Sequence, residues 1–396
     1  MEIIGIIAEY NPFHNGHLYH LNKIKELYPN SLIVLVMSGN FLQRGEVSIL
    51  DKYEKTLIAL QFGIDIVLEL PFKFATQSAD KFSYGALKIL NEFKVEKIVF
   101  GSESNDIDTL TTLAQIQLDN KDYNIIVKDL LDEGINYPTA LSKALKQITK
   151  KEITEPNDIL ALSYIREIIK NKYNITPISI KRTNDYHDLK EDKNIISASN
   201  VRNKLLNKID CKKYVPDITY KYLSRKKIFT LADYFPFLKY KIISSLDNLE
   251  SYMTVDEGIE NRIAKNIYKA SNYNELIESV KTKRYTYNKI SRMFCHILTD
   301  FKKKENTDKL ESIKILGLSD NGKKYLNKIK KDIKIPIITK FSDYSNSERN
   351  HELKLSYIYS LLFNDALKDE YIKKEINSKI IFKNKNDWLV EYKFRL

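Results

Sequence analysis

The chain has 396 residues, a length at which a single hydrophobic core usually gives way to two domains. A hydrophobic fraction of 43% and a charged fraction of 29% exclude an intrinsically disordered chain, and no apolar run approaches the ~18 residues that span a membrane. The net charge of +12 suits a polyanionic partner such as nucleic acid, although a lysine-rich composition gives the same charge without one.

The cysteines and the amino terminus favour a cytoplasmic protein. Two cysteines, Cys211 and Cys295, lie far apart, which excludes a disulfide framework and a CxxC zinc site. The apolar start, Met1–Ala8, has no basic leader and meets Glu9 too early for a signal peptide, so it predicts a first strand.

The first half alternates short β-branched runs with helical patterns such as Leu18–Tyr28 and Lys52–Phe62. Strand, helix, strand at this spacing predicts an α/β fold with a parallel sheet and right-handed crossovers. Such a sheet binds ligands at the carboxyl ends of its strands. The predicted strands are Ile3–Ala8, Leu32–Met37, Ile64–Glu69, Lys97–Phe100 and Pro177–Lys181.

From about Cys211 the helical pattern dominates, which predicts one domain over 1–210 and a mainly helical, basic domain over 211–396. A small strand–helix–strand unit lies inside the second domain. The predicted elements are helices over Ile242–Ser251, Gly258–Ser271, Tyr273–Lys281, Asn288–Phe301 and Leu353–Phe363, the unit Ile313–Leu318, Gly322–Lys331 and Ile335–Thr339, and a terminal strand over Ile380–Phe394.

A phosphate site is predicted directly after the first strand, where His14 and His17 bracket Asn15 and Gly16. Histidines three apart at a helix start face the same point, and the helix end adds backbone N–H groups. When a nucleophile attacks the α-phosphorus of ATP, such donors stabilise the charge that develops on its oxygens. The plain alternative, histidines that only pack or cap a helix, would be favoured for a single histidine.

The segment Ile7–Leu21, IAEYNPFHNGHLYHL, resembles the HxGH nucleotidyltransferase superfamily and, within it, the tRNA(Met) cytidine acetate ligase family. The second half carries the resemblance more thinly, through TKRYT at 282–286 and KILGL at 314–318. Supporting motifs in the first half are MSGNFLQRGE at 37–46, LELP at 68–71, FGSE at 100–103 and ISASNVR at 196–202.

The resemblance implies a Rossmann-like nucleotidyltransferase domain and a two-step reaction. Acetate and ATP would give acetyl-adenylate and pyrophosphate, and the acetyl group would then pass to the N4 amine of the wobble cytidine of elongator tRNA(Met). ATP is therefore the expected co-substrate. Mg²⁺ is expected from triphosphate chemistry, although no acidic cluster identifies protein ligands for it. No membrane and no protein partner are predicted.

The resemblance also implies an ATP site. Gly101 would end a strand beside the nucleotide, Arg182 follows another strand, and Asn157 offers the donor and acceptor that adenine needs. On spacing alone, Asn157 is better explained as an N-cap and His20 as a structural residue. The implied residues are Ile7, Ala8, Glu9, Tyr10, Asn11, Pro12, Phe13, His14, Asn15, Gly16, His17, Leu18, Tyr19, His20, Gly101, Asn157 and Arg182.

Two further motifs would border the same cleft. The ISxSxxR signature puts Ser197 and Ser199 at the N-cap of a predicted helix over Asn200–Asn207, and Arg202 would grip phosphates as a catalytic residue with His14 and His17. In the loop after the second strand, Gln43 and Arg44 are candidates to hold a small carboxylate, since a guanidinium forks onto two oxygens. A plain surface arginine explains Arg44 equally well.

The run over 281–292 mixes cations with tyrosines, a combination that binds phosphates and stacks on unpaired bases. A solvated charged face is the usual explanation of such a run. The residues predicted to contact tRNA are Lys283, Arg284, Tyr285, Lys289 and Arg292.

Two other functions stay open on the sequence. One is an HxGH adenylyltransferase that acts on a phosphorylated small molecule, which would need no large basic partner domain. The other is an RNA-binding protein with a regulatory nucleotide site, against which the intact histidines and Arg202 argue.

Overall fold

The computed structural model describes residues 1–182, 194–377 and 379–383. The strands are β1 (Ile3–Ala8), β2 (Leu32–Ser38), β3 (Ile66–Leu70), β4 (Lys97–Ser102), β5 (Thr176–Lys181), β6 (Ile313–Ser319), β7 (Ile337–Ile338) and β8 (Ile381–Lys383). The helices are α1 (Asn15–Leu27), α2 (Lys52–Gln61), α3 (Phe72–Ala75), α4 (Ala79–Glu92), α5 (Ile107–Asp119), α6 (Lys121–Asp132), α7 (Tyr137–Thr149), α8 (Pro156–Asn171), α9 (Ala198–Leu206), α10 (Asp217–Leu223), α11 (Phe235–Ile243), α12 (Ile259–Ile267), α13 (Tyr273–Val280), α14 (Tyr287–Leu298), α15 (Asp320–Ile329), α16 (Asn346–Tyr359) and α17 (Asp365–Asn377).

One sheet runs through the molecule in the order β5-β4-β1-β2-β3-β6-β7, with β8 beside β6. The strands from β5 to β3 are parallel, and β6 joins β3 in the antiparallel sense. The predicted α/β fold with a mostly parallel sheet is therefore confirmed. The carboxyl ends of β1 to β5 meet at one edge, where the loops that follow them form the site.

The sheet is covered by a hydrophobic core on each face, and this explains why its strands are apolar along their whole length. All seven residues of β2 are buried: Ile33 and Leu35 join the core on one face, and Leu32 and Val34 join the core on the other. The first of these cores continues from the sheet into the helices of the second half. No helix in the described ranges is long and apolar enough to cross a lipid bilayer.

Several predicted bounds need correction. The helix predicted over Ile242–Ser251 is wrong, because α11 ends at Ile243 and a separate 3₁₀ turn covers Leu246–Ser251 with Asn248 in a non-helical conformation. Helices α3 to α7, between Phe72 and Thr149, were not predicted at all. Of the predicted terminal strand, only Ile381–Lys383 is seen, and 384–394 lie outside the described residues.

The division of the chain into two domains at residue 210 remains a proposal, because one sheet contains strands from both sides of that boundary. Strand β6 of the second half pairs with β3 of the first, and a buried ion cluster joins the same parts. In this cluster, Glu375 of α17 lies 3.0 Å from Lys52 Nζ and 2.7 Å from Lys314 Nζ, while Lys52 also lies 3.2 Å from Glu69. The second half is thus attached to the sheet by both hydrogen bonds and charge.

Candidate active site

The turn between β1 and α1 is held by buried groups on each side. Tyr10 takes a positive φ of 49°, the Asn11–Pro12 peptide is cis, and His14 is the N-cap of α1. The ring of Phe13 stacks on that of Phe62 at 5.0 Å, and the side-chain oxygen of Asn11 accepts a hydrogen bond from the amide of Ile49 at 2.9 Å. These contacts fix where the histidines lie.

His14 and His17 lie together at the carboxyl end of β1, as predicted, with ring centroids 3.9 Å apart. The Gly16 amide donates to His14 Nδ1 at 2.9 Å, and the His14 amide donates to His17 Nδ1 at 3.3 Å. Because each Nδ1 accepts a backbone hydrogen bond, each neutral ring carries its proton on Nε2. Two N–H donors are therefore available to a phosphate oxygen.

Gly16 is required by this geometry, and it changes the predicted role of the helix end. A Cβ on Gly16 would lie 2.9 Å from His14 Nδ1, so any side chain would push the ring away. The amide of Gly16 is already bonded to His14 Nδ1, and the amide of His17 to His14 O at 2.9 Å. These two backbone N–H groups, which were predicted to bind phosphate, are therefore occupied within the turn, and the imidazole N–H groups are the remaining donors here.

The histidines of this turn are held neutral. Burial, with the charges of Arg182 and Arg202, lowers the pKa of His14 to about 3. Burial and then Arg182 lower the pKa of His20 to about 4, and burial with the neighbouring histidines lowers the pKa of His17 well below its usual range. At neutral pH these rings donate hydrogen bonds without exchanging protons.

Nitrogen-15 NMR of histidine-labelled protein should show His14 and His17 as neutral Nε2–H tautomers that do not titrate between about pH 5.5 and 8. Both pKa values are lowered, so the charged imidazolium forms appear only well below pH 6.5 and both rings stay neutral over this range. The His17→Ala variant assigns the signals. An inflection near 6.5 for either ring would contradict the buried, neutral pair.

A second group of predicted residues gathers at the ends of β4 and β5. Asn157 Nδ2 donates to the carboxylate of Glu103, which also accepts from the Asp158 amide at 3.0 Å. Arg182 Nε lies 3.8 Å from Glu103, and a Cβ on Gly101 would lie 3.3 Å from Arg182 Cγ. Gly101, Asn157 and Arg182 therefore meet, as the resemblance implied. The N-cap explanation of Asn157 is wrong, because Glu155 occupies that position.

In the part of this region that the structure describes, three buried polar atoms lack a hydrogen-bond partner, which makes the region a candidate ligand site. Most buried polar atoms in proteins have hydrogen-bond partners. Within the described residues, Asn11 Nδ2, His20 Nε2 and Arg182 Nε are buried without one. The charge of Arg182 acts on His14, His17 and His20, so Arg182 lies close to the three histidines. A bound nucleotide would supply the missing partners.

The ISxSxxR segment reaches the histidine turn through Arg202. Its Nη1 donates to Asn11 O at 2.7 Å, and its Nη2 lies 2.8 Å from Glu46. Ser197 caps α9 by accepting from the Asn200 amide at 3.2 Å, as predicted. Ser199 does not cap the helix, because α9 begins at Ala198 and Ser199 lies in its first turn, 3.5 Å from Arg202 Nη2.

Lys55 is a structural residue of the site that the sequence did not reveal. Its Nζ donates to Glu9 O at 3.0 Å, Ser38 O at 2.8 Å and Gly39 O at 2.7 Å, which ties the ends of β1 and β2 together. Burial lowers the pKa of Lys55 to about 7. The sequence signal for Lys55 was weak: it precedes the buried Ile58 by three residues, which places both on the same, inner face of α2.

Three of the predicted tRNA contacts, Arg284, Tyr285 and Lys289, are engaged with other groups of the protein. Tyr285 is 3% exposed, and its hydroxyl donates to Asp256 O, so its ring cannot stack on a base as predicted. Lys289 Nζ lies 3.8 Å from the centre of that ring, and Arg284 Nε lies 2.8 Å from Glu257. Lys283 is exposed.

Known proteins resemble this chain over nearly its whole length. The HIGH Nucleotidyl Transferase family model matches residues 1–375. The tRNA(Met) cytidine acetate ligase of Geobacillus sp. (strain WCH70) is 38% identical over 95% of this chain and 98% of its own, and that of Bacillus subtilis (strain 168) is 38% identical over 94% and 95%.

Solved structures agree with this similarity. Thermotoga maritima TmcAL in its apo form is 30% identical and superposes with a TM-score of 0.89 over 97% of this chain and 100% of that one. The same protein bound with alpha-thio ATP gives a TM-score of 0.86 over the same shares of the two chains.

Proposed function

This chain belongs to the tRNA(Met) cytidine acetate ligase family, within the HIGH nucleotidyltransferases, and from that premise we propose that it is an ATP-dependent ligase that acetylates a tRNA. The substrate is the N4 amine of the wobble cytidine of elongator tRNA(Met), and acetate is the acid. The observation that carries the proposal is the pair of neutral imidazoles beside Arg182 and Arg202 at the end of β1.

The first step is the attack of an acetate oxygen on the α-phosphorus of ATP. A carboxylate–phosphorus bond forms, the bond to the bridging oxygen breaks, and pyrophosphate leaves with the electron pair. No proton needs to move, because the carboxylate is already ionised. Hydrogen-bond donors with pKa values far from 7 are therefore suited to this step, and His14 and His17 stabilise the negative charge that accumulates on the phosphoryl oxygens.

In the second step the cytidine amine attacks the carbonyl carbon of acetyl-adenylate. A carbon–nitrogen bond forms, the bond to the phosphate oxygen breaks, AMP leaves, and the amine proton passes to solvent. Arg182 and Arg202 hold charge near the phosphate throughout, so that AMP departs as a stabilised anion. Gly101 and Asn157 are proposed to bind the nucleoside, and Ser197 and Ser199 the phosphate end.

Magnesium is proposed to enter with ATP, where it neutralises charge on the triphosphate. In the described ranges no three His, Cys, Asp or Glu side chains gather to hold a metal ion. We further propose that the reaction takes place in the cytoplasm, where the tRNA substrate is found.

Mass spectrometry of tRNA nucleosides from cells with and without this protein tests the proposal. Acetylated cytidine in elongator tRNA(Met) is expected to disappear with the protein and to return with the wild-type chain but not with His17→Ala. A dinucleotide product that needs no RNA would favour an adenylyltransferase for small molecules. ATP binding without pyrophosphate release would favour a regulatory RNA-binding protein.

A further inference from the structure

The loop after β2 connects the histidine cleft to α14 of the second half. The backbone N–H of Gln43 donates to Glu9 Oε1 at 2.7 Å, and Glu46 pairs with Arg202 at 2.8 Å. Between them, Gly45 has a positive φ of 74°, and a Cβ there would lie 2.4 Å from the backbone nitrogen of Arg292. The loop backbone therefore lies directly on the first turns of α14.

This contact makes Arg44 and Arg292 neighbours. Burial and then the charge of Arg44 lower the pKa of Arg292 to about 10, because two guanidiniums that share a partly dry space repel each other. Arg44 also acts on Glu9, five residues before His14, so Arg44 lies between Arg292 and the end of β1.

Among the described residues, Arg292 has no acidic partner, in contrast to Arg202 and Arg284. Arg202 pairs with Glu46 and Arg284 with Glu257, each at 2.8 Å. No carboxylate of the described residues forms an ion pair or hydrogen bond with Arg292. A half-buried guanidinium usually pairs with an anion, since an unpaired charge away from water raises the free energy of the folded state.

We propose that Arg292 joins Arg44 in binding the carboxylate of the acid substrate beside the ATP cleft. The inference rests on the proposed function and adds a residue of the second half to the acid site. Acetate and the triphosphate are both anions, so an approach to the α-phosphorus needs positive charge on the acid side. Two guanidiniums provide that charge, and their planar forks orient a carboxylate.

This assignment moves Arg292 away from the tRNA surface on which the sequence placed it. Lys283, on the same basic run, is exposed and open to a phosphate backbone, whereas Arg292 is half-buried beneath the loop. A small anion fits that position better than a nucleic acid does.

Pyrophosphate–ATP exchange without tRNA separates acid binding from RNA binding. Arg292→Met is expected to raise the KM for acetate about 10- to 100-fold, the loss of a charge-assisted pair, with the KM for ATP unchanged. The KM for acetate of Arg292→Lys should lie between those of the wild type and Arg292→Met, because lysine keeps the positive charge and lacks the planar, two-pronged guanidinium. Arg262→Gln is the matched control: this exposed arginine of α12 donates hydrogen bonds to the carbonyls of Ser279 and Val280.

Each other outcome overturns the inference in its own way. An unchanged KM for acetate with a raised KM for tRNA in the full reaction would place Arg292 on the RNA. Equal rises in the KM for ATP and acetate would place it on the triphosphate. No change in any constant would make it structural. If the wild-type protein shows no acetate-dependent exchange, the proposed function fails whatever Arg292 does.

Discussion

His17→Ala is expected to slow acetate-dependent pyrophosphate exchange about 100- to 1000-fold, the effect of removing one preorganised donor from a developing oxyanion. The ring lies 3.9 Å from that of His14, and its Nδ1 is occupied by the His14 amide, so only Nε2–H reaches substrate. The KM for ATP should change far less than kcat, since the donor acts most strongly on the transition state. Steady-state exchange rates give both constants.

A glutamine in the same place distinguishes donation from proton transfer. His17→Gln retains an N–H near the position of Nε2, so it should recover part of the lost rate. His351→Gln is the matched control, because it removes a partly buried histidine that packs between Phe72 and Phe301. If glutamine is as inactive as alanine although both variants are folded, His17 has a role other than hydrogen-bond donation.

Glu375→Gln is expected to lower the free energy of unfolding by about 3–5 kcal/mol, the cost of leaving buried charges without their partner. Glu375 is fully buried, and it bridges Lys52 and Lys314 at 3.0 Å and 2.7 Å. Burial alone would raise the pKa of Glu375, but Lys314 and Lys52 lower it to about 2. The carboxylate is thus ionised at neutral pH, and its contribution fades as pH falls from about 4.5 towards 2.

Urea unfolding followed by circular dichroism measures this loss. Glu370→Gln removes a carboxylate from an exposed position of the same helix and should leave the midpoint unchanged. Lys52 also lies 3.8 Å from Glu352, and Lys314 lies 3.8 Å from Glu69. A loss below about 1 kcal/mol for Glu375→Gln would mean that Glu69 and Glu352 compensate both lysines, and that α17 is not attached to the sheet through this cluster.

The sequence determined where the paired histidines lie, because their arrangement is local. His14, Gly16 and His17 follow one strand and begin one helix, so their mutual position depends on a single turn. Alternating strand and helix patterns predicted the parallel sheet, and a parallel sheet brings the loops of β1, β4 and β5 to one edge. Gly101, Asn157 and Arg182 could thus be assigned to the same cleft from the motifs that the chain shares with its family.

Tertiary structure alone decided which distant parts complete the site. A hydrophobic period reports the inner face of its own helix or strand and carries no record of what that face will meet. Nothing around Arg292 indicates that Gly45 lies on its backbone, and nothing around Glu375 indicates two buried lysines from α2 and β6. Such pairings arise when the sheet and helices pack, because close packing and charge neutralisation are satisfied only by the folded chain as a whole.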